Sequence, residues 1–185
     1  DLDYTTVVER ASSHIRTQRD ILRKEYDRYD AGLHPISDAH VQREEREYDE
    51  ADYIVTPSQF AYESFLDHGF DESQVFCVPF GTDIPETPAR RDRDDDPFRF
   101  LFVGTVDLRK GIQYLLESWD QLTLPEAELI IVGRTTDAAR SIVERYQDPS
   151  VEFIGWTDNP EAWYRRGSVF VFPTLEEGSA RVVYE

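Results

Sequence analysis

The sequence predicts an α/β protein whose later half is a doubly wound, Rossmann-like parallel sheet. Three observations carry this. From Phe98 onward, short apolar runs alternate with segments of helical period. Runs such as "ELIIVG" and "SVFVFP" are apolar at successive positions, as strands covered on both faces of a parallel sheet must be. Each run leads through a turn rich in small or polar residues into the next helical segment, the order that βαβ units with right-handed crossovers require.

Taken in order, Tyr4 to Asp30 carries Val7, Val8, Ala11, Ile15, Leu22, Tyr26 and Tyr29 at roughly helical spacing, which predicts one or two helices. Gly32, Pro35 and Ser37 break that pattern, and a charged helix follows from about Asp38 to Glu50. "ADYIVTPS" reads as a short buried strand feeding a helix capped by Ser58 and closed by Gly69. "QVFCVPFGTD" reads as a further strand ending in a turn. Residues 84–97, "IPETPARRDRDDDP", hold three prolines and dense charge without apolar periodicity, the composition of an interdomain linker. Beyond it come strand Phe98 to Gly104, helix Gly111 to Leu122, strand Glu128 to Gly133, helix Asp137 to Tyr146, strand Val151 to Gly155, helix Pro160 to Arg166, strand Val169 to Pro173 and a helix from about Ser179.

The charge balance restricts the partners. The 38 acidic and 20 basic residues give a formal net charge of −18, and Lys24 and Lys110 are the only lysines. Such a surface repels nucleic acid and anionic lipid, because a duplex binder needs a basic footprint to displace counterions. Aromatic residues at 13% indicate a folded chain rather than an acidic disordered one. An acidic shell with so little lysine is what adaptation to high salt predicts, since screening removes self-repulsion. Cys77 is the sole cysteine, so no intrachain disulfide can form and a reducing, cytoplasmic setting is expected. No apolar run approaches the ~18 residues of a membrane span, and there is no secretory signal. The chain lacks methionine and opens on Asp1, which suggests a fragment.

Ligands of open parallel sheets bind beyond the carboxyl ends of the strands. Those ends carry "VGTVDLRKG", "VGRTTD", "IGWTDN" and "PTLEEGSA", which makes Gly104, Thr105 and Gly133 candidate ligand-facing positions. Arg109 and Lys110 follow the first of these strands, and a lysine there is a candidate phosphate ligand. Gly178, Ser179 and Ala180 open the expected last helix with small residues that leave its backbone N–H groups accessible to an anion. Glu177 precedes them and is placed to accept hydrogen bonds from sugar hydroxyls. In a helix rising ~1.5 Å per residue, Glu185 lies roughly 10 Å further along. A nucleotide diphosphate sugar has comparable reach, with sugar at Glu177, diphosphate at the helix mouth and ribose at Glu185. No His or Cys cluster has metal-ligand spacing. The Asp92-Arg93-Asp94 triplet sits among further aspartates and reads as solvated linker.

"EEGSARVVYE" resembles the E-x7-E motif of glycosyltransferase family 4, within the GT-B superfamily. "FRFLFVGTVDLRKGIQYLLESW" is similar to that family's glycine, lysine-glycine and leucine-rich helix block, and "AELIIVG", "VEFIGW" and "SVFVFPT" match its next strands in order. "ADYIVTPSQFAYESFLDHGFDESQVFCVPFGTD" is similar to the stretch closing the family's first domain. The resemblance implies GT-B architecture: residues 1–83 ending the first, acceptor-side domain, 84–97 linking, and 98–185 forming the donor domain, incomplete at its carboxyl end. It also implies that Lys110 binds the donor diphosphate, Glu177 meets the sugar and Glu185 holds the ribose. The family usually has arginine directly after the strand glycine, where this chain has Thr105; Arg109 is the substitute charge. "ERASSHIRTQ" resembles a first-domain segment whose histidine faces the donor, which makes His14 a candidate hydrogen-bond donor to sugar or phosphate.

The implied activity is transfer of sugar, with retention at the anomeric carbon, from a nucleotide diphosphate sugar to a glycan or lipid acceptor. The resemblance implies no metal or other cofactor. Peripheral membrane contact stays open for the longer protein, and no sequence signal bears on oligomeric state. Two other readings stand beside this one. The first is a nucleotide-sugar binding module without turnover. The second, which the family 4 blocks disfavour, is an epimerase of GT-B architecture.

Overall fold

The computed structural model describes residues 4–32, 34–82 and 97–184. Apart from Pro97, the expected linker lies outside the described residues, and so do the Asp92-Arg93-Asp94 triplet and Glu185. The chain divides into two compact units, Asp1–Thr82 together with Glu176–Tyr184, and Asp83–Leu175.

In the first unit, strands β1 (Val7–Glu9), β2 (Tyr53–Thr56) and β3 (Val75–Cys77) form a parallel sheet in that order. Val8 faces Ile54 and Val55 faces Phe76 in the register. The helices are α1 (Ile15–Arg28), α2 (Asp38–Glu50) and α3 (Gln59–Asp67). Ser37 and Ser58 cap α2 and α3 through the amides of His40 and Ala61 at 3.2 Å each, satisfying N–H groups that have no intrahelical partner. Gly69, at φ +90°, follows the end of α3 in a conformation that costs glycine least. Ile15, Leu22, Ile36, Val41, Tyr48, Ile54, Phe65 and Val75 make one buried cluster. On other positions of the same strands, Val7 and Phe76 stay about half exposed and Tyr53 is 40% exposed.

The sequence expectation of one or two helices within Tyr4 to Asp30 holds for α1 and is corrected before it. Val7–Glu9 is a strand, and α1 begins only at Ile15. Two adjacent β-branched residues pair with Tyr53 and Ile54 of β2, and that tertiary pairing outweighs a helical-looking spacing.

The second unit holds four parallel strands in the order β6-β5-β4-β7: β4 (Phe98–Val103), β5 (Ala127–Val132), β6 (Val151–Gly155) and β7 (Val169–Phe170). The helices α4 (Ile112–Asp120), α5 (Asp137–Arg145) and α6 (Glu161–Tyr164) connect them. Phe102, Leu129 and Ile131 pack with Ile112, Leu116, Trp119 and Ala139, each large side chain worth about 1.5–3 kcal/mol on burial. Leu101, Ile130 and Val132, on the alternate positions, are also at most 2% exposed. That explains why these strands read as continuous apolar runs. The order reverses between β4 and β7, so the switch point where such sheets bind ligands lies beyond the carboxyl ends of those two strands.

The last segment departs from expectation twice. The sequence reading assigned 98–185 to one donor domain, whereas Glu176–Tyr184 groups with the first unit. The expected helix from Ser179 is absent: Gly178 to Ala180 are irregular, and Arg181–Val183 form one 3-10 turn. Ala180 has extended backbone, φ −73° and ψ 106°, which an α-helix running on from Ser179 could not contain.

Candidate functional site

At the carboxyl edge of the second sheet, the turns are locked backbone to backbone. Gly104 donates its N–H to the Val132 carbonyl at 2.9 Å, and Gly133 donates to the Gly155 carbonyl at 2.8 Å. A Cβ on Gly133 would sit 1.7 Å from the Gly104 carbonyl oxygen. The two turns therefore approach closer than any side chain permits. Beyond them Val106 N–H bonds Arg134 O at 2.9 Å, and the Thr136 hydroxyl donates to Asp107 Oδ2 at 2.7 Å.

The turn after β4 bends back over the end of β7. Asp107 Oδ1 accepts the Arg109 N–H at 2.8 Å and starts a 3-10 turn, Leu108–Lys110. Gly111 follows in the left-handed region at φ +73°. A Cβ there would fall 1.9 Å from the Pro173 carbonyl oxygen. The Arg109 carbonyl accepts from Leu175 N at 2.9 Å and from the Thr174 hydroxyl at 3.2 Å. Lys110 is thereby held at the switch point, with Nζ 5.1 Å from the centroid of the Phe172 ring, a distance at which the ring face attracts the ammonium. Gly104, Gly133, Arg109 and Lys110 are thus brought to one sheet edge, with Thr105 exposed beside Gly104.

In the first unit, the turn after Leu175 is fixed to the start of α1. Glu176 is 1% exposed. Its Oε1 accepts from Ser12 Oγ at 2.6 Å, Ser13 Oγ at 2.8 Å and Ser13 N–H at 3.1 Å, and its Oε2 from Gln18 Nε2 at 2.8 Å. Burial opposes ionisation, but the bonds from Ser12, Gln18 and Ser13 outweigh it and hold the carboxyl below the usual carboxylate range. Glu177 and the small residues Gly178, Ser179 and Ala180 follow directly. Gly178 is buried, and a Cβ on it would lie 2.1 Å from Ala11 O. Among the described residues Gly178, Ser179 and Ala180 begin no α-helix, so the expected helix mouth is not formed. Ser179 Oγ lies 3.2 Å from the Tyr184 hydroxyl.

His14 stands at the start of α1. Its side chain is 2% exposed, stacked on His68 at 4.0 Å and flanked by Tyr48 and Phe65 at 5.3 and 5.1 Å. Its Nδ1 accepts the Arg16 N–H at 3.3 Å, which makes it the N-cap of α1. Burial first, and His68 second, bring its pKa down to about 4. The imidazole is neutral near pH 7 and caps its own helix.

Glu176 is the residue that sequence reasoning missed. In a chain with 38 acids, the only signal for it is its place directly after a buried strand end; its partners lie some 160 residues upstream. Among the described residues no group of three or more His, Cys, Asp or Glu is placed to hold a metal ion, and no helix is long and apolar enough to cross a membrane.

With this geometry in view, comparison with known proteins is informative. Residues 97–185 match the family described as "Glycosyl transferases group 1". The chain is 25% identical over 146 residues to the "Uncharacterized 41.2 kDa protein in cps region" of Klebsiella pneumoniae, covering 74% of this chain and 40% of that protein. It is 31% identical over 98 residues to the "Capsular polysaccharide biosynthesis glycosyltransferase CapM" of Staphylococcus aureus, covering 49% and 26%. The chain thus spans less than half the length of the curated relatives it matches. Among solved structures, sucrose-phosphate synthase from Thermosynechococcus elongatus superposes with a TM-score of 0.69 at 22% identity, over 98% of this chain and 47% of that one. Anabaena HepE in complex with UDP and glucose superposes with a TM-score of 0.64 at 14% identity, over 83% and 47%. The fold is that of GT-B glycosyltransferases.

Proposed function

We propose that this chain is the donor-handling part of a group 1 glycosyltransferase that takes sugar from a nucleotide diphosphate donor and passes it, with retention at the anomeric carbon, to a glycan or lipid acceptor. The observation that carries the reading is the Lys110-Gly111 turn packed on Pro173 at the switch point of a parallel sheet, within the stretch that matches the sugar-transferase family. A fixed ammonium there suits an anionic diphosphate. The capsular polysaccharide named for CapM favours a glycan acceptor, and the UDP and glucose in the HepE complex favour a nucleotide sugar donor.

On this reading Lys110 and Arg109, rather than a divalent cation, meet the diphosphate, with Arg109 supplying the charge that Thr105 lacks. The glycine backbone at 104 and 133 lets the donor approach. Glu177 accepts from the sugar hydroxyls and Glu185 from the ribose. Gly178, Ser179 and Ala180 serve as a small-residue turn beside Glu177 instead of a helix mouth. In the reaction the acceptor oxygen bonds the anomeric carbon as the bond to the phosphate oxygen breaks, and the acceptor proton passes to the departing diphosphate. Positively charged groups fixed at that diphosphate stabilise the charge that builds there.

The test is a panel of nucleotide diphosphate sugars in a thermal-shift assay at high salt, followed by radiolabelled transfer with the full-length protein. One donor is expected to raise the melting temperature and to label a lipid or glycan. A panel that leaves the melting temperature unchanged, with no nucleoside diphosphate released, refutes the proposal. Binding without transfer identifies a binding module instead.

A further inference from the structure

The carboxylate of Glu176 has no part in the donor chemistry above, yet it is the more tightly built of the two adjacent glutamates. A buried carboxylate without partners would neutralise or leave the interior. Here four hydrogen bonds from three side chains and one backbone amide converge on it. The donors are themselves tied down. Arg10 donates from Nη2 to Gln18 Oε1 at 2.8 Å and from Nε to Ser13 O at 3.2 Å, while its Nη1 pairs with Glu44 Oε2 at 3.1 Å. Two residues further on, the backbone of Gly178 touches Ala11 and Ser12 so closely that a Cβ would be 2.1 Å from one and 2.8 Å from the other. These independent anchors, one electrostatic and one steric, stand on either side of Glu177.

We infer that Glu176 is a positioning residue, which clamps residues 176–178 to the start of α1 so that Glu177 is presented in a single orientation. The inference rests on the reading in which Glu177 meets the donor sugar. Since the diphosphate is held elsewhere, by Lys110, loosening the clamp should slow the chemical step more than it weakens nucleotide binding. A carboxylate that served stability alone would lower the melting temperature without that split.

The experiment uses the full-length protein, with UDP as the nucleotide probe and the sugar donor found by the panel above. Glu176→Gln sets an amide N–H against the Gln18 N–H, donor facing donor. We expect kcat to fall by about tenfold or more while the dissociation constant for UDP changes by less than about threefold. The exchange Glu176→Gln with Gln18→Glu puts an acceptor back opposite a donor and still offers Arg10 an oxygen, so most of the lost kcat should return. Amide hydrogen exchange gives a readout independent of turnover. Ser13 and the 176–178 amides should exchange faster in Glu176→Gln and recover in the exchanged pair. Wild-type kcat in Glu176→Gln, or unchanged hydrogen exchange, overturns the inference. If the unmutated protein turns over no nucleotide sugar, the functional reading fails on its own, and hydrogen exchange alone decides whether the clamp exists. Should Glu176→Gln not fold, Ser12→Ala with Ser13→Ala removes two hydroxyl donors and carries the same comparison.

Discussion

Gly111→Ala tests the geometry at the switch point directly. Two costs add. An L-residue in the left-handed region costs about 1–2 kcal/mol, and Gly111 has φ +73°. The new methyl would also stand 1.9 Å from Pro173 O and 2.8 Å from its carbonyl carbon, backbone atoms that cannot swing aside as a flexible side chain can. Overpacking of that kind costs about 1–3 kcal/mol or more. The expected loss is therefore about 2–5 kcal/mol, a large part of the stability of an ordinary domain. Gly155→Ala supplies the control, because Gly155 has nearly the same φ, +78°, but open space around the missing Cβ. It should lose only the first part, about 1–2 kcal/mol. Urea unfolding followed by tryptophan fluorescence isolates the second unit, since Trp119, Trp156 and Trp163 all lie within Asp83–Leu175. With a slope of about 2 kcal/mol per molar urea, Gly111→Ala should shift the midpoint down by about 1–2.5 M. Equal losses for the two variants would show that the Lys110-Gly111 turn does not press on Pro173, and the argument for a fixed ammonium would go with it.

Other expectations follow from the same structure. Lys110→Ala should weaken UDP binding by about 1.5–3 kcal/mol if the ammonium makes a charged hydrogen bond to the diphosphate; unchanged affinity by calorimetry removes that role. His14 is neutral when folded, with its pKa lowered to about 4 from the 6.5 of an unperturbed imidazole. The unfolded chain therefore binds the extra proton first. The contribution of His14 to stability is fully present above pH 6.5 and is lost as the pH falls towards 4, at most about 3 kcal/mol in all. His14→Asn, which keeps a cap acceptor, should flatten denaturation midpoints between pH 6.5 and 4.5; an unchanged slope argues against a neutral buried His14. Glu44 accepts from the Tyr48 hydroxyl at 2.6 Å, lies 2.8 Å from His40 Nε2 and pairs with Arg10 at 3.1 Å. Glu44→Ala leaves Arg10 nearly buried without its carboxylate and should cost about 3 kcal/mol by circular dichroism in urea; a loss below about 1 kcal/mol would mean solvent replaces the pair.

The second unit is legible in the sequence because its physics is local. Leu129 to Val132 are apolar in succession since both faces of β5 are buried, and the glycines at 104, 111 and 133 stand where backbone meets backbone. The first unit is less legible because its decisive contacts are distant in the chain. Val7 and Val8 become a strand only when residues 53 and 54 arrive beside them. Nothing near His14 in the sequence announces that Phe65, His68 and Tyr48 pack around it. Glu176 and Glu177 are indistinguishable as letters; only the serine pair at 12 and 13 separates an enclosed anchor from its half-buried neighbour.

The close backbone packing of Gly133 against Gly104 and Gly155 restricts how this chain could acquire a new preference. Backbone there has nowhere to move, because one added methyl at 133 would meet an oxygen at 1.7 Å. Innovation must come through what protrudes from this packing, such as the exposed Thr105, Arg134 and Trp156. Successful redesigns are therefore expected to concentrate at those three side chains and to spare the glycines.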